Sequence, residues 1–81
     1  MSPIWRWRLV KLRVLSGAEV CRILEQHGFT RIRQRGSHIA MQKRKSDATV
    51  TVIVPDHKTL RKGTLASIIR QSGLPKSLFE G

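Results

Sequence analysis

The chain is poor in cysteine and in long apolar runs, and each scarcity excludes a class of protein. Its single cysteine, Cys21, excludes an internal disulfide and a cysteine zinc cluster. No stretch approaches the ~20 consecutive apolar residues of a transmembrane helix. Arginines interrupt the apolar N-terminal run, so this run lacks the continuous hydrophobic region of a signal peptide. We therefore expect a cytoplasmic protein with no membrane contact.

Acidic residues are also scarce. The chain has five of them against 16 lysines and arginines, which gives a formal net charge of +11. The basic residues are clustered, because residues 29–46 carry six of them and no acidic residue. Such an excess indicates a polyanionic partner, either a nucleic acid or an acidic protein. A solvated cationic surface without a partner is the simpler alternative.

The length of 81 residues, with 40% hydrophobic and 26% charged residues, indicates one soluble domain. A domain of this size buries only about 60–65% of its unfolded surface, so a partner can add to its stability. We place the domain at residues 14–81, after a basic arm of residues 1–13 that contains Trp5 and Trp7. The arm could be an added edge strand, a flexible segment that contacts RNA, or an extension with no role.

The pattern of the remaining residues predicts helix, three strands, helix. Ser16 and Glu19 form a capping box at the start of a helix over residues 17–27. Alternating and β-branched residues predict strands over residues 29–34, 37–43 and 49–54. A second amphipathic helix is predicted over residues 62–72, and a short turn over residues 76–79. This order predicts an α+β fold, with a three-stranded antiparallel sheet and both helices on one face.

The hairpin between the first two strands carries the residues that are best suited to catalysis or to binding an anion. Alternation places Arg31, Arg33 and Arg35 on one face and Ile32 on the other. If Ile32 points into the core together with Ile39 and Met41, then His38 and the three arginines share the open face. An imidazole beside fixed positive charge is suited to handling a phosphodiester.

Six short motifs resemble the HicA (YcfA-like) family of toxin ribonucleases between about residues 15 and 74. The motifs are Ser16-Gly17-x-Glu19-Val20, Gly28-Phe29, Arg33-Gln34-x-Gly36-Ser37-His38, Val52-x-Val54-Pro55-x-His57, Leu60-x-x-Gly63-Thr64-Leu65-x-Ser67-Ile68 and Gln71-x-Gly73-Leu74. Each is weak alone, but their order and spacing together are specific. One departure is Lys62, where the family often has proline.

The resemblance implies a double-stranded-RNA-binding-like α-β-β-β-α fold. It also implies a toxin of a type II toxin–antitoxin system, an endoribonuclease that cleaves mRNA without a metal or other cofactor. A HicB-like antitoxin protein would neutralise it. The histidine of the Gly-Ser-His motif, here His38, would be the catalytic residue.

The chemistry of these side chains fits RNA cleavage by the RNA's own 2′-hydroxyl. Histidine suits the general base, because a neutral imidazole can accept the hydroxyl proton. Arg33 and Arg35 can stabilise the charge that develops on the phosphoryl oxygens. Gly36 permits close approach of a phosphate to the backbone, and the Ser37 hydroxyl can donate a hydrogen bond to it. Arg31 is expected to contact RNA from the same face.

A second phosphate site is predicted where the second helix starts. Its free N–H groups near Gly63 and Thr64, together with Lys58 and Lys62, could bind an anion; water alone could equally occupy them. His57 could be a second acid or base, a phosphate contact or a loop-fixing residue. The three histidines, which include His27 at the end of the first helix, do not form a recognised metal spacing.

Two other functional classes remain compatible with the sequence. The first is a non-catalytic RNA-binding module, because the fold that the resemblance implies also binds double-stranded RNA by shape and backbone contact. The second is an interaction domain whose basic face binds an acidic protein. Substitution of His38 distinguishes the enzyme from the RNA-binding module.

Overall fold

The structure, a computed structural model, describes residues 14–80. The alternatives for the arm at residues 1–13 therefore lie outside the described residues. In chain order the elements are α1 (Gly17–Gln26), β1 (Thr30–Arg35), β2 (His38–Arg44), β3 (Thr49–Pro55), α2 (Lys62–Ser72) and a 3₁₀ helix (Lys76–Phe79). The predicted α-β-β-β-α order is confirmed, and every helix and strand boundary lies within one residue of its expected position.

Helix α1 begins at the predicted capping box. The N–H of Glu19 donates to Ser16 Oγ at 3.1 Å, and the N–H of Ser16 donates to Glu19 Oε1 at 2.9 Å. Two donors that would otherwise lack a partner at the helix start are thereby satisfied. At the other end Gly28 has φ +96°, and the N–H of Phe29 donates back to the Leu24 carbonyl at 3.0 Å.

The three strands form an antiparallel sheet in the order β1-β2-β3, with both helices against one face. The core lies between the sheet and the helices. Its buried side chains from the sheet and the two helices are Ile39, Met41, Val52, Val54, Val20, Cys21, Leu24, Leu65, Ile68 and Ile69. The opposite face of the sheet, called here the open face, carries neither of the two helices α1 and α2. Within residues 14–80, no helix has the length and apolar character needed to cross a membrane.

Strand β1 contains a bulge that the sequence analysis did not foresee. Arg31 pairs with Met41 and Arg33 pairs with Ala40, so Ile32 is an extra residue without a partner. Directly paired residues share a face, and Met41 faces the core. Arg31 therefore lies on the helix side of the sheet, whereas Arg33 lies on the open face. The prediction that Arg31, Arg33 and Arg35 share one face is wrong. So is the expected burial of Ile32, which is 47% exposed.

The loop after β3 is tied to the start of α1. The Gly17 N–H donates to the His57 carbonyl, and the Leu60 N–H donates to the Leu15 carbonyl, both at 2.8 Å. The backbones approach so closely that a Cβ on Gly17 would overlap the carbonyl oxygen of Pro55. Only glycine fits this contact, which holds the loop with His57 against the helix layer.

We therefore predict opposite effects for two glycine-to-alanine substitutions. Gly17→Ala should lower the free energy of unfolding by about 1–3 kcal/mol, because the methyl group forces the Pro55 backbone away. Gly63→Ala is the matched control, because a Cβ there meets nothing within 4 Å. It should raise the free energy of unfolding by up to about 1 kcal/mol through better helix propensity. Urea denaturation measures both, and equal effects would contradict the Gly17 packing.

Candidate functional site

His38 is the first residue of the central strand, and its side chain is exposed on the open face. Arg35 pairs with it from β1 and Pro55 from β3. Side chains that are directly opposite in an antiparallel pair have Cβ atoms about 4.5–5.5 Å apart. The Cβ atom of Arg35 is therefore adjacent to that of His38. Arg33 lies two residues earlier on the same face and is the diagonal neighbour of His38.

The open face is cationic. Register places Arg33, Arg35 and Arg44 on it, with Arg44 opposite Thr49 at the far end. None of the chain's five carboxylates belongs to a strand; these residues are Glu19, Glu25, Asp47, Asp56 and Glu80. Three guanidinium groups and one imidazole thus share a face that no strand carboxylate neutralises. A surface of this kind attracts a polyanion.

The turn before His38 is held in place from two sides. Gly36 has φ +55° and Ser37 has a negative φ, the pattern of a type II′ turn in a two-residue hairpin loop. The Gln34 side chain donates to the Gly36 carbonyl at 3.0 Å. The Asp56 N–H donates to the Ser37 carbonyl at 2.6 Å. Gly36 and Ser37 are both exposed, so the turn can meet a ligand while its backbone is fixed.

Arg31 has a different neighbour. Its guanidinium lies close enough to the buried thiol of Cys21 on α1 to act on it electrostatically. Burial raises the pKa of Cys21 above its ordinary value of 9.0, and the positive charge of Arg31 opposes this shift. The Arg31 guanidinium therefore interacts with the helix layer, and it is not part of the cationic open face.

A groove of about 380 Å³ lies beside Pro55, the β3 residue that pairs with His38. Its lining residues are Pro55, His57, Thr59, Leu60, Arg61 and Thr64. Pro55 both lines this groove and pairs with His38, so the groove begins at the strand position next to His38. An extended ligand that passes over His38 could therefore continue into the groove.

The groove contains the N-terminus of α2. Arg61 is the N-cap residue, and its side chain makes no capping hydrogen bond. This contrasts with the capping box of α1. The first backbone donors of α2, at Lys62, Gly63 and Thr64, therefore have no capping side chain, and a helix N-terminus carries partial positive charge. Lys62 and Gly63 are exposed.

The structure thus divides the predicted site residues into three groups. His38, Arg33, Arg35 and the Gly36-Ser37 turn lie together at one end of the open face. His57 and Thr64 line the adjacent groove, and Lys58, Lys62 and Gly63 are exposed close to them in the chain without lining it. Arg31 lies apart from both groups, on the helix side of the sheet near Cys21.

Sequence reasoning missed several residues of this region. Arg44 is six residues after His38 on β2, so the alternation of side chains along a regular strand predicts that both lie on the same face. Asp56 supports the turn from a distant part of the sequence that no local pattern reveals, whereas Gln34 lies only two residues before Gly36. Arg61 also lines the groove, beside the phosphate site predicted from Lys58, Lys62 and the start of α2. Among residues 14–80, no group of three or more His, Cys, Asp or Glu side chains could hold a metal ion.

The fold and the site define a small basic α+β domain with an α-β-β-β-α order and a cationic open sheet face. Residues 17–74, more than half of the chain, match the model of the family described as HicA toxin of bacterial toxin–antitoxin. The chain therefore belongs to the HicA toxin family, as the motifs predicted, and it is the toxin-type component of a toxin–antitoxin pair. None of the curated proteins compared with the chain matches it.

The placement of Arg31 leads to a prediction for Cys21. Arg31→Met should raise the pKa of Cys21 further, because a positive charge that favours the thiolate is lost. Arg33→Met removes the same charge from the open face and should leave the titration unchanged. Ultraviolet absorbance of the thiolate during an alkaline titration measures both. An equal shift in the two variants would contradict the bulge register.

Proposed function

We propose that this chain is a metal-independent endoribonuclease that cleaves mRNA and that a HicB-like antitoxin neutralises it. The observation that carries the proposal is the exposed His38 beside Arg35, on a sheet face without a strand carboxylate, in a member of a toxin family. An RNA backbone supplies the negative charge that this face lacks.

The first chemical step is the activation of a ribose 2′-hydroxyl. The His38 imidazole accepts the hydroxyl proton as the O2′ atom attacks the adjacent phosphorus. The bond from phosphorus to the 5′-oxygen breaks, and that oxygen leaves with a proton. The products are a 2′,3′-cyclic phosphate and a 5′-hydroxyl. His38 suits this step because its ring is exposed and the strand that carries it is paired on both sides.

Arginine side chains stabilise the charge of the transition state. Arg35 pairs with His38, so its guanidinium can reach the non-bridging oxygens of a phosphate whose ribose contacts His38. Fixed cationic donors of this kind favour the transition state because the charge on those oxygens increases there. Arg33, the diagonal neighbour, is suited to the next phosphate along the strand.

The groove beyond Pro55 is the proposed exit path for the RNA backbone. His57, Thr64 and Arg61 line it, and the uncapped N-terminus of α2 adds backbone donors. His57 is exposed, and its backbone carbonyl accepts the hydrogen bond from the Gly17 N–H. The ring takes no part in that bond. Its imidazole is therefore available to contact a phosphate or to protonate the leaving 5′-oxygen.

We predict that His38→Ala abolishes cleavage of single-stranded RNA while RNA affinity changes by less than about threefold. The substitution removes the base but leaves the three arginines of the open face. The measurement is gel analysis of RNA incubated with the purified chain in EDTA, combined with identification of the 2′,3′-cyclic phosphate end.

His27→Ala is the matched control, because the His27 ring bonds to the Ile23 carbonyl at the end of α1. It should retain cleavage. Undiminished cutting by His38→Ala would reject His38 as the base, and a strict requirement for a divalent ion would reject the mechanism. RNA binding by the wild-type chain without any cleavage would instead indicate the non-catalytic RNA-binding module.

Charge-matched substitutions test which face contacts RNA. Arg33→Met should weaken the binding of a non-cleavable 2′-deoxy RNA analogue. It should also reduce the slope of log K against log salt by about 0.7, the value for one lost phosphate contact on a single strand. Arg31→Met removes the same charge from the helix side and should leave the slope unchanged. Affinity measured across a salt series decides this, and a larger loss in Arg31→Met would place the RNA elsewhere.

A further inference from the structure

The two outer edges of the sheet differ in how well they resist pairing with another strand. Among residues 14–80 the sheet ends at β1 on one side and at β3 on the other. The β1 edge has a bulge and three arginines, both of which hinder the addition of a strand. Strand β3 runs from Thr49 to Pro55 in an unbroken register with β2 and contains no charged residue.

The hydrogen bonds at the two ends of the β2–β3 ladder show which backbone groups of β3 point outward. The Asp56 N–H donates to the Ser37 carbonyl, and the Lys45 N–H donates to the Ala48 carbonyl. Antiparallel pairs alternate between those that exchange hydrogen bonds and those that do not. The pairs that contain Thr49, Thr51 and Ile53 are consequently of the second kind, so their N–H and C=O groups point away from β2.

The side chains of these residues leave the outward groups accessible. Thr49, Thr51 and Ile53 lie on the open face and are exposed, with Ile53 46% exposed. The alternate residues Val52 and Val54 are fully buried under the helix layer. Strand β3 therefore has a firmly packed face and an edge that no other strand within residues 14–80 covers. A long, uncharged and regular edge strand is a template for another extended segment.

We propose that an extended segment of an acidic partner protein pairs with the outer edge of β3 as a fourth strand of the sheet. The chain around both ends of β3 has a net positive charge, because Arg44, Lys45, Lys58 and Arg61 outnumber the two carboxylates there, Asp47 and Asp56. These basic residues complement carboxylates at the ends of the added segment. A second copy of this chain is disfavoured as the occupant, because each copy carries a net charge of +11.

The proposal rests on the antitoxin partnership proposed above, but not on the nuclease chemistry. The probe is the antitoxin obtained by co-expression with this chain, and the full chain carries His38→Ala to prevent toxicity. Amide hydrogen exchange should show fast exchange at Thr51 and Ile53 in the free chain, and at least tenfold slower exchange in the complex. Within β3, Val52 should change less, because its N–H already bonds to β2.

A pair of substitutions at Thr51 isolates the outward N–H. Thr51→Pro removes this donor without breaking the β2 ladder, and proline is tolerated on sheet edges. Thr51→Val keeps the donor but loses the hydroxyl that accepts a hydrogen bond from Gln42. Thr51→Pro should weaken antitoxin binding at least tenfold, whereas Thr51→Val should change it less than threefold. Circular dichroism checks that both variants are folded.

Three results would overturn the proposal. Slow exchange of Thr51 and Ile53 in the free chain would mean that residues 1–13 or a second copy already cover the edge, and light scattering separates these two cases. Unchanged exchange in the antitoxin complex would place the partner elsewhere. Equal antitoxin binding by the Thr51→Pro and Thr51→Val variants would also mean that the partner binds away from the β3 edge. None of these results depends on whether the wild-type chain cleaves RNA.

Discussion

The pairing register of strand β2 is the constraint on which the candidate site depends. This strand is hydrogen bonded on both sides, and each of its two ladders decides which neighbouring side chains share a face with His38. A shift of one residue in either ladder would move a whole set of side chains to the opposite face of the sheet. The bulge at Ile32 is such a shift confined to half of β1. It leaves Arg33 and Arg35 on the open face and directs Arg31 towards the helices.

The contact between α1 and the loop after β3 fixes the other half of the site. Two backbone hydrogen bonds and the close approach at Gly17 hold residues 55–60 against the start of α1. Pro55 is thereby fixed opposite His38, and the groove that contains His57 opens next to it. The glycine of the Ser16-Gly17 motif therefore has a structural role, whereas Gly63 has no packing neighbour that explains it.

Local sequence patterns were sufficient for the order and limits of the elements, because caps, β-branched runs and turn glycines act within a few residues. The same patterns located His38 and its turn. They failed at Arg31 and Ile32, because alternation holds only within a regular strand and a bulge depends on how the partner strand fits. The link between Pro55 and His38 was equally hidden, since the two residues are 17 positions apart in the sequence.

The open face and the β3 edge are physically coupled. Adjacent strands lie about 4.8 Å apart, so a fourth strand on β3 would lie only about 10 Å from the axis of β2. Alternate side chains of that strand would project from the same face as His38. Carboxylates there could approach Arg44 and His38 on β2 without displacing any element of the fold. They would neutralise the uncompensated charge of the face, which otherwise destabilises the free chain through self-repulsion. Pairing along the edge would therefore block RNA electrostatically and also stabilise the toxin by linkage.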